Sequence, residues 1–225
     1  PDFVWTKGRS FSGFHPATDT SRGLTKNVYP NDAYQEENYT TRIQSMDSNG
    51  FTINNDPDTM NKSGSTQVAW CWKANGGTLT TVNSNGATNK VDEHKRQTNT
   101  TAGFAIVTYE GVEDDNGNSP TFTHNLGKTA EYVLVKNRDV GDAWAVLHKI
   151  TSAANGLNSL VLDTNAAVST SPDPWDGNAG TTNDVYVKGQ PSAVHNVNAD
   201  GENYVAYCWT SIQGYSKFGT YKGNN

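Results

Sequence analysis

Apolar residues along this chain come in short runs, cut apart by clusters of Asn, Asp, Gly, Ser and Thr. Such runs bounded by turn formers predict strands. In the first half they cover Phe3–Thr6, Lys26–Tyr29, Gly50–Ile53, Thr66–Lys73 and Phe104–Tyr109. In the second half they cover Thr121–Thr123, Glu131–Lys136, Ala143–Lys149, Ser159–Leu162, Asp184–Val187, Tyr204–Thr210 and Tyr215–Tyr221. A polar stretch around Val91 to Gln97 is the one helix candidate, and it lacks an apolar stripe. Asp47-Ser48-Asn49-Gly50, Asn75-Gly76-Gly77, Asn83-Ser84-Asn85-Gly86 and Asp114-Asp115-Asn116-Gly117-Asn118 supply residues that accept positive φ. Tyr132-Val133-Leu134-Val135 is apolar on both faces and predicts a strand covered on both sides. Val205-Ala206-Tyr207-Cys208-Trp209 alternates large and small, which predicts one roomy and one close-packed face.

The strand pattern is written twice. Val68-Ala69-Trp70-Cys71-Trp72 returns as Val205-Ala206-Tyr207-Cys208-Trp209, 137 positions later. Phe3-Val4-Trp5-Thr6-Lys7-Gly8-Arg9 returns as Tyr132-Val133-Leu134-Val135-Lys136-Asn137-Arg138 at an offset of 129. His15, Gly23, Leu24 and Val28 match His148, Gly156, Leu157 and Val161 at 133. Gly103–Gly111 resembles Gly214–Gly223, with one residue of slack. A fixed order of matches marks a duplicated unit. The expected architecture is all-β, with two tandem β-sandwich or jelly-roll-like units of short strands and long loops. The first unit is expected over residues 1–111, with 73–102 as an insertion or linker, and the second over 112–225.

Composition narrows the partners. The chain has 225 residues, a net charge of −6 and ten Tyr, seven Phe and six Trp. The acidic balance argues against nucleic acid, whose binding surfaces are normally basic. No apolar run is long enough to span a bilayer. Pro1 stands directly before a strand pattern, so a fragment or processed segment of a longer protein is expected. Cys71 and Cys208 occupy equivalent positions within apolar patterns and read as buried free thiols rather than a disulfide.

Pro1–Lys7, Asp19-Thr20-Ser21-Arg22-Gly23, Ser48–Ile53, Val68–Lys73, Thr123–Lys128 and Gly214–Asn224 together resemble a tandem β domain family of marine bacteriophage virion and tail-fibre-like proteins. The likeness covers nearly the whole chain. It implies a virion structural protein and assigns no catalytic residue. The second copy departs from it, with Ser152-Ala153-Ala154-Asn155-Gly156 in place of the Asp19–Gly23 segment.

Candidate residues weigh mostly toward structure. A Ser10/His15/Asp19 set can be written, but His148 lacks matching Ser and Asp spacing, so both histidines read as structural. Lys7–Arg9 and Lys136–Arg138 end equivalent strands, where an Arg fork can tie a loop carboxylate or carbonyls to the sheet; binding of anionic sugar or lipid headgroups is the alternative. Asp114, Asn116 and Asn118 offer oxygen ligands but lack the spacing of a calcium loop. Trp175 in its loop, with Tyr34 and Tyr39 in another, are the candidate sugar-stacking aromatics; a Trp175 anchored on the sandwich is the rival reading. No nucleotide, zinc or nucleophile-elbow motif is present, and no cofactor is expected.

The resulting expectation is a non-enzymatic segment of a bacteriophage tail fibre or appendage that presents loops toward host-surface glycan. It would be assembled in the host cytoplasm with other virion subunits, as a homo-oligomer, and carried on the extracellular particle. A capsid- or tail-decorating protein is the alternative. A surface-polysaccharide depolymerase, whose paired carboxylates would be invisible in sequence, is a minor one.

Overall fold

A computed structural model describes residues 1–84, 90–112, 119–149, 159–168, 174–175, 177, 180–188 and 195–224. In chain order its strands are β1 (Phe3–Gly8), β2 (Ala17–Asp19), β3 (Lys26–Asn27), β4 (Glu37–Asn38), β5 (Ile43–Asp47), β6 (Gly50–Ile53), β7 (Gln67–Trp72) and β8 (Thr80–Val82). They continue as β9 (His94–Asn99), β10 (Phe104–Glu110), β11 (Thr121–Thr123), β12 (Tyr132–Asn137), β13 (Ala145–His148), β14 (Leu160–Val161), β15 (Asp184–Tyr186) and β16 (Asn203–Trp209). One short helix, α1 (His195–Asn198), precedes β16. The protein is all-β, with antiparallel sheets packed as a β-sandwich.

The duplication survives as register. Within the three-stranded sheet β2-β1-β7, Phe3 faces Trp72 and Val4 faces Cys71. Within the seven-stranded sheet β14-β13-β12-β16-β10-β9-β8, Tyr132 faces Trp209 and Val133 faces Cys208. These pairs reproduce the offsets of 129 and 137. The next strand corrects the third match: Asp19 faces Phe3 and His148 faces Tyr132. His148 is therefore the counterpart of Asp19, and His15 and His148 are not equivalent. Their apparent match at 133 skipped the strand itself and followed the longer loop of the second copy.

The copies are not separate bodies. Strands β8, β9 and β10, from before residue 112, share one sheet with β12, β13, β14 and β16, from after it. The 73–102 segment supplies β8 and β9 to that sheet. The polar stretch at 91–97 forms most of β9 rather than a helix, because hydrogen bonding to β10 overrides its weak helical propensity. The β9–β10 turn is tight and needs glycine. Gly103 has φ +64°, and a Cβ there would lie 2.6 Å from the Thr210 carbonyl oxygen.

The large and small faces go where the alternation predicts. Val205, Tyr207 and Trp209 join Phe104, Ile106, Leu134 and Trp144 in a core shared with Phe3, Trp5 and Trp72 of the other sheet. Phe3 stacks on Tyr207 with ring centroids 4.2 Å apart. Ala206 and Cys208 face the opposite core, with Val133, Val135, Phe122, Val185 and Trp175. The hairpin β5–β6 covers the outer face of the smaller sheet around Val4, Ile43 and Met60. The predicted strand at 215–221 is not part of either large sheet; a single bridge joins Ile212 to Ser216.

Candidate functional site

Strands β1 and β7 and three loops, the one between β1 and β2, the one between β3 and β4 and the one after β14, enclose a groove of about 690 Å³. Trp5 and Trp70 form its aromatic wall, with ring centroids 5.4 Å apart and planes tilted by 54°. Both point toward the other sheet by the period-2 alternation of their strands. Their counterparts Leu134 and Tyr207 are sealed in the core, whereas Trp70 is 41% exposed. The Trp5 Nε1–H is buried and finds no acceptor among the described residues. Lys7, His15, Asn31, Asp163, Thr164 and Asn165 bring polar groups to the same groove. His15 is held there by its backbone N–H, which donates to Asn31 Oδ1 at 2.7 Å. Burial, then the Lys7 charge, lowers the imidazole pKa and favours its neutral form. Asp163 is positioned by the Trp144 backbone N–H, which donates to its Oδ1 at 2.9 Å. Among the described residues lining the groove, Asp163 is the one carboxylate. Ring stacking combined with hydrogen bonding is what this arrangement offers a ligand.

A second cluster is closed. The Arg22 side chain, fully buried, donates from Nε to Asp19 at 2.6 Å, from Nη1 to Glu36 at 2.9 Å, and from Nη2 to Ala17 O and the Tyr207 hydroxyl. The Tyr207 hydroxyl donates to Asp19 Oδ2 at 2.7 Å. Arg138 forks onto both oxygens of Glu36 at 2.9 and 3.0 Å. Burial alone would raise the Glu36 pKa, but the Arg138 hydrogen bonds and the Arg22 and Arg138 charges outweigh it and hold it below the usual range. Asp19, Arg22 and Glu36 come from the first copy, and Arg138 and Tyr207 from the second. The knot therefore rivets the two sheets.

The other candidates divide. Arg138 plays the anticipated fork, whereas Arg9 is exposed. Lys136 is buried, with Nζ donating to Asn137 O at 2.8 Å; burial pushes its pKa down to about 8. Lys7 donates to Gly8 O at 3.2 Å, and the His148 ring meets Tyr132 edge-on. Both cysteines are free, but only Cys208 is buried; Cys71 is exposed, because β7 ends its sheet. Trp175 is 0% exposed and fills the core beneath β12 and β16, so it is an anchor and not a surface platform. Tyr39 is half-buried, with the Arg42 guanidinium 3.7 Å from its ring centroid, so its ring is already occupied. Tyr34 stays accessible at 55% exposed, edge-on to Phe14. Asp114, Asn116 and Asn118 lie outside the described residues. Among the described residues, no group of three or more His, Cys, Asp or Glu is placed to hold a metal.

Compared with known families, the chain matches over residues 1–225 the one described as "Domain of unknown function (DUF7483)". The chain belongs to the DUF7483 family. One family match thus runs across both copies and the segment between them. No curated protein and no solved structure matches it. Sequence reasoning missed the Trp5–Trp70 groove because both residues sit in strand patterns that read as core. The signal was the mismatch within the repeat: Trp5 and Trp70 stand where the second copy has the smaller Leu134 and Tyr207.

Proposed function

We propose that this DUF7483 chain is a structural segment of a bacteriophage tail fibre or appendage that holds a host-surface glycan in the Trp5–Trp70 groove. One observation carries the binding site: two indoles, one of them exposed, face an open groove that also carries the polar side chains of His15, Asn31 and Asp163. Sugar rings present apolar faces and hydroxyl edges, and a stacking indole beside Asn, Asp and His side chains suits both. The doubled scaffold supports the structural part. Its sheets are riveted by a buried ion-pair knot and its loops differ between copies, which fits recognition carried on loops over a rigid frame. The virion assignment rests on the sequence resemblance.

The test is binding to host cells and to a glycan array by the wild type and Trp70→Ala. Loss of at least tenfold in affinity, about 1.4 kcal/mol, with unchanged thermal stability is expected. Unchanged binding by Trp70→Ala removes the groove from recognition. Mass spectrometry of purified particles tests the virion assignment, and absence of the chain from them contradicts it.

A further inference from the structure

The two copies differ at one edge. In the second copy β16 is paired on both sides, by β12 and by β10. In the first, β7 is paired by β1 alone and ends its sheet. The pairing parity, with Arg9 N–H donating to Thr66 O, turns the N–H and C=O groups of Gln67, Ala69 and Cys71 away from β1. The equivalent groups of Tyr204, Ala206 and Cys208 lie in the ladder with β10. The faces follow the edge: Ala69, Trp70 and Cys71 are exposed, whereas Ala206, Tyr207 and Cys208 are fully buried. A row of unpaired strand groups flanked by apolar side chains is a template for another strand.

The same chain carries a second copy of the strand that fills this position. Gly214–Gly223 resembles the β10 segment Gly103–Gly111, yet lies outside both large sheets. Tyr221 within it is 96% exposed.

We propose that the open edge of β7 accepts the Gly214–Gly223 segment of a second copy of this chain, antiparallel and in the register that β10 takes on β16. This assembly stands on the strand register and not on the glycan reading. Matching Thr108-Tyr109-Glu110-Gly111 to Thr220-Tyr221-Lys222-Gly223 sets Tyr221 opposite Gln67, Gly219 opposite Ala69 and Lys217 opposite Cys71. Phe218 then lies beside Trp70, as Ile106 lies beside Tyr207. In the single chain Phe218 stacks on Tyr132, with ring centroids 5.6 Å apart. The exchange trades that stack for a contact with Trp70 and adds a ladder on three residues of β7. Because donor and acceptor are different surfaces, each copy can give its segment to one neighbour and accept one from another, as a reciprocal exchange between two copies, a ring or an open row.

The experiment measures mass against concentration by sedimentation, using the full chain and two variants. Ala69→Pro removes an outward N–H on an edge strand, where proline is tolerated. The second variant lacks residues 214–225. The full chain is expected to form concentration-dependent oligomers, and each variant alone to be monomeric. Ala69→Pro keeps the donor segment and the shortened chain keeps the acceptor edge, so mixing them is expected to give a 1:1 heterodimer and nothing larger. Unfolding of each variant alone confirms its fold. If the shortened chain does not fold, the free Gly214–Asn225 peptide added to full chain replaces it, and breakdown of the oligomers is expected. A full chain that stays monomeric, or oligomers that persist in Ala69→Pro, overturn the proposal. So does a monomer whose β7 amides lose hydrogen-exchange protection when its own tail is removed, since that places the tail on its own edge.

Discussion

Replacing Arg22 by alanine strips the buried Asp19 carboxylate of its cation and takes one of three cationic partners from Glu36, leaving Arg138 and Lys26. Both Arg22 and Asp19 side chains are fully buried, so water cannot substitute at the first site. Breaking such a pair from one side typically costs about 3–5 kcal/mol. At 2–4 °C per kcal/mol for a chain of this size, the melting temperature should fall by roughly 6–20 °C. Tyr207→Phe removes one hydroxyl while leaving the Arg22–Asp19 pair in place, and should cost less, about 2 kcal/mol. The two residues belong to different copies, so the double variant measures coupling between them. A coupling of at least about 0.5 kcal/mol is expected for groups in one hydrogen-bonded network. Thermal unfolding followed by far-ultraviolet circular dichroism reads all three variants. A shift under about 2 °C for Arg22→Ala, or additive losses in the double variant, would refute the view that this knot joins the sheets.

Two further outcomes follow from burial. His124 accepts from Leu126 N–H at its Nδ1, and burial drives its pKa down to about 4. Its unfolded value is near 6.5, so the unfolded chain binds the extra proton between these limits and stability falls as pH drops through them. The wild type should lose about 2 kcal/mol from this group between pH 7 and pH 5. Urea unfolding at both pH values should show a smaller loss in His124→Gln; equal losses would contradict the assignment. A thiol reagent should label Cys71 on the folded protein and leave Cys208 untouched until unfolding. Fast labelling of both thiols under native conditions would contradict the burial of β16.

Much of the sandwich was legible because strand faces announce themselves. The alternation in Val205–Trp209 placed its large side chains against one core and its small ones against another. The offsets of 129 and 137 reappear as inter-strand pairs. What stayed hidden depends on pairing across the molecule. β9 is polar because the sheet supplies its stability through backbone bonds, so its sequence carries little signal. Residues 215–221 read as a strand and form none on their own chain, since a strand pattern does not specify its partner. The sites divide similarly. Arg138 could be assigned to a carboxylate from its place at a strand end, but nothing local named Glu36, 102 residues away. Trp175 looked exposed because its loop has no period, yet a loop tryptophan can still close a core. The Trp5–Trp70 groove becomes visible only when each residue is set beside its repeat counterpart.

The central claim is that a doubled sequence builds one body, with the first copy's β10 locked between β9 and the second copy's β16. Equilibrium urea unfolding, followed in parallel by tryptophan fluorescence and by Cys208 labelling, tests it most directly. The tryptophans report on both sheets, and Cys208 on the centre of the larger one. Coincident curves with one midpoint are predicted. Two separated transitions, with Cys208 protected through the first, would mean that the copies fold as independent units.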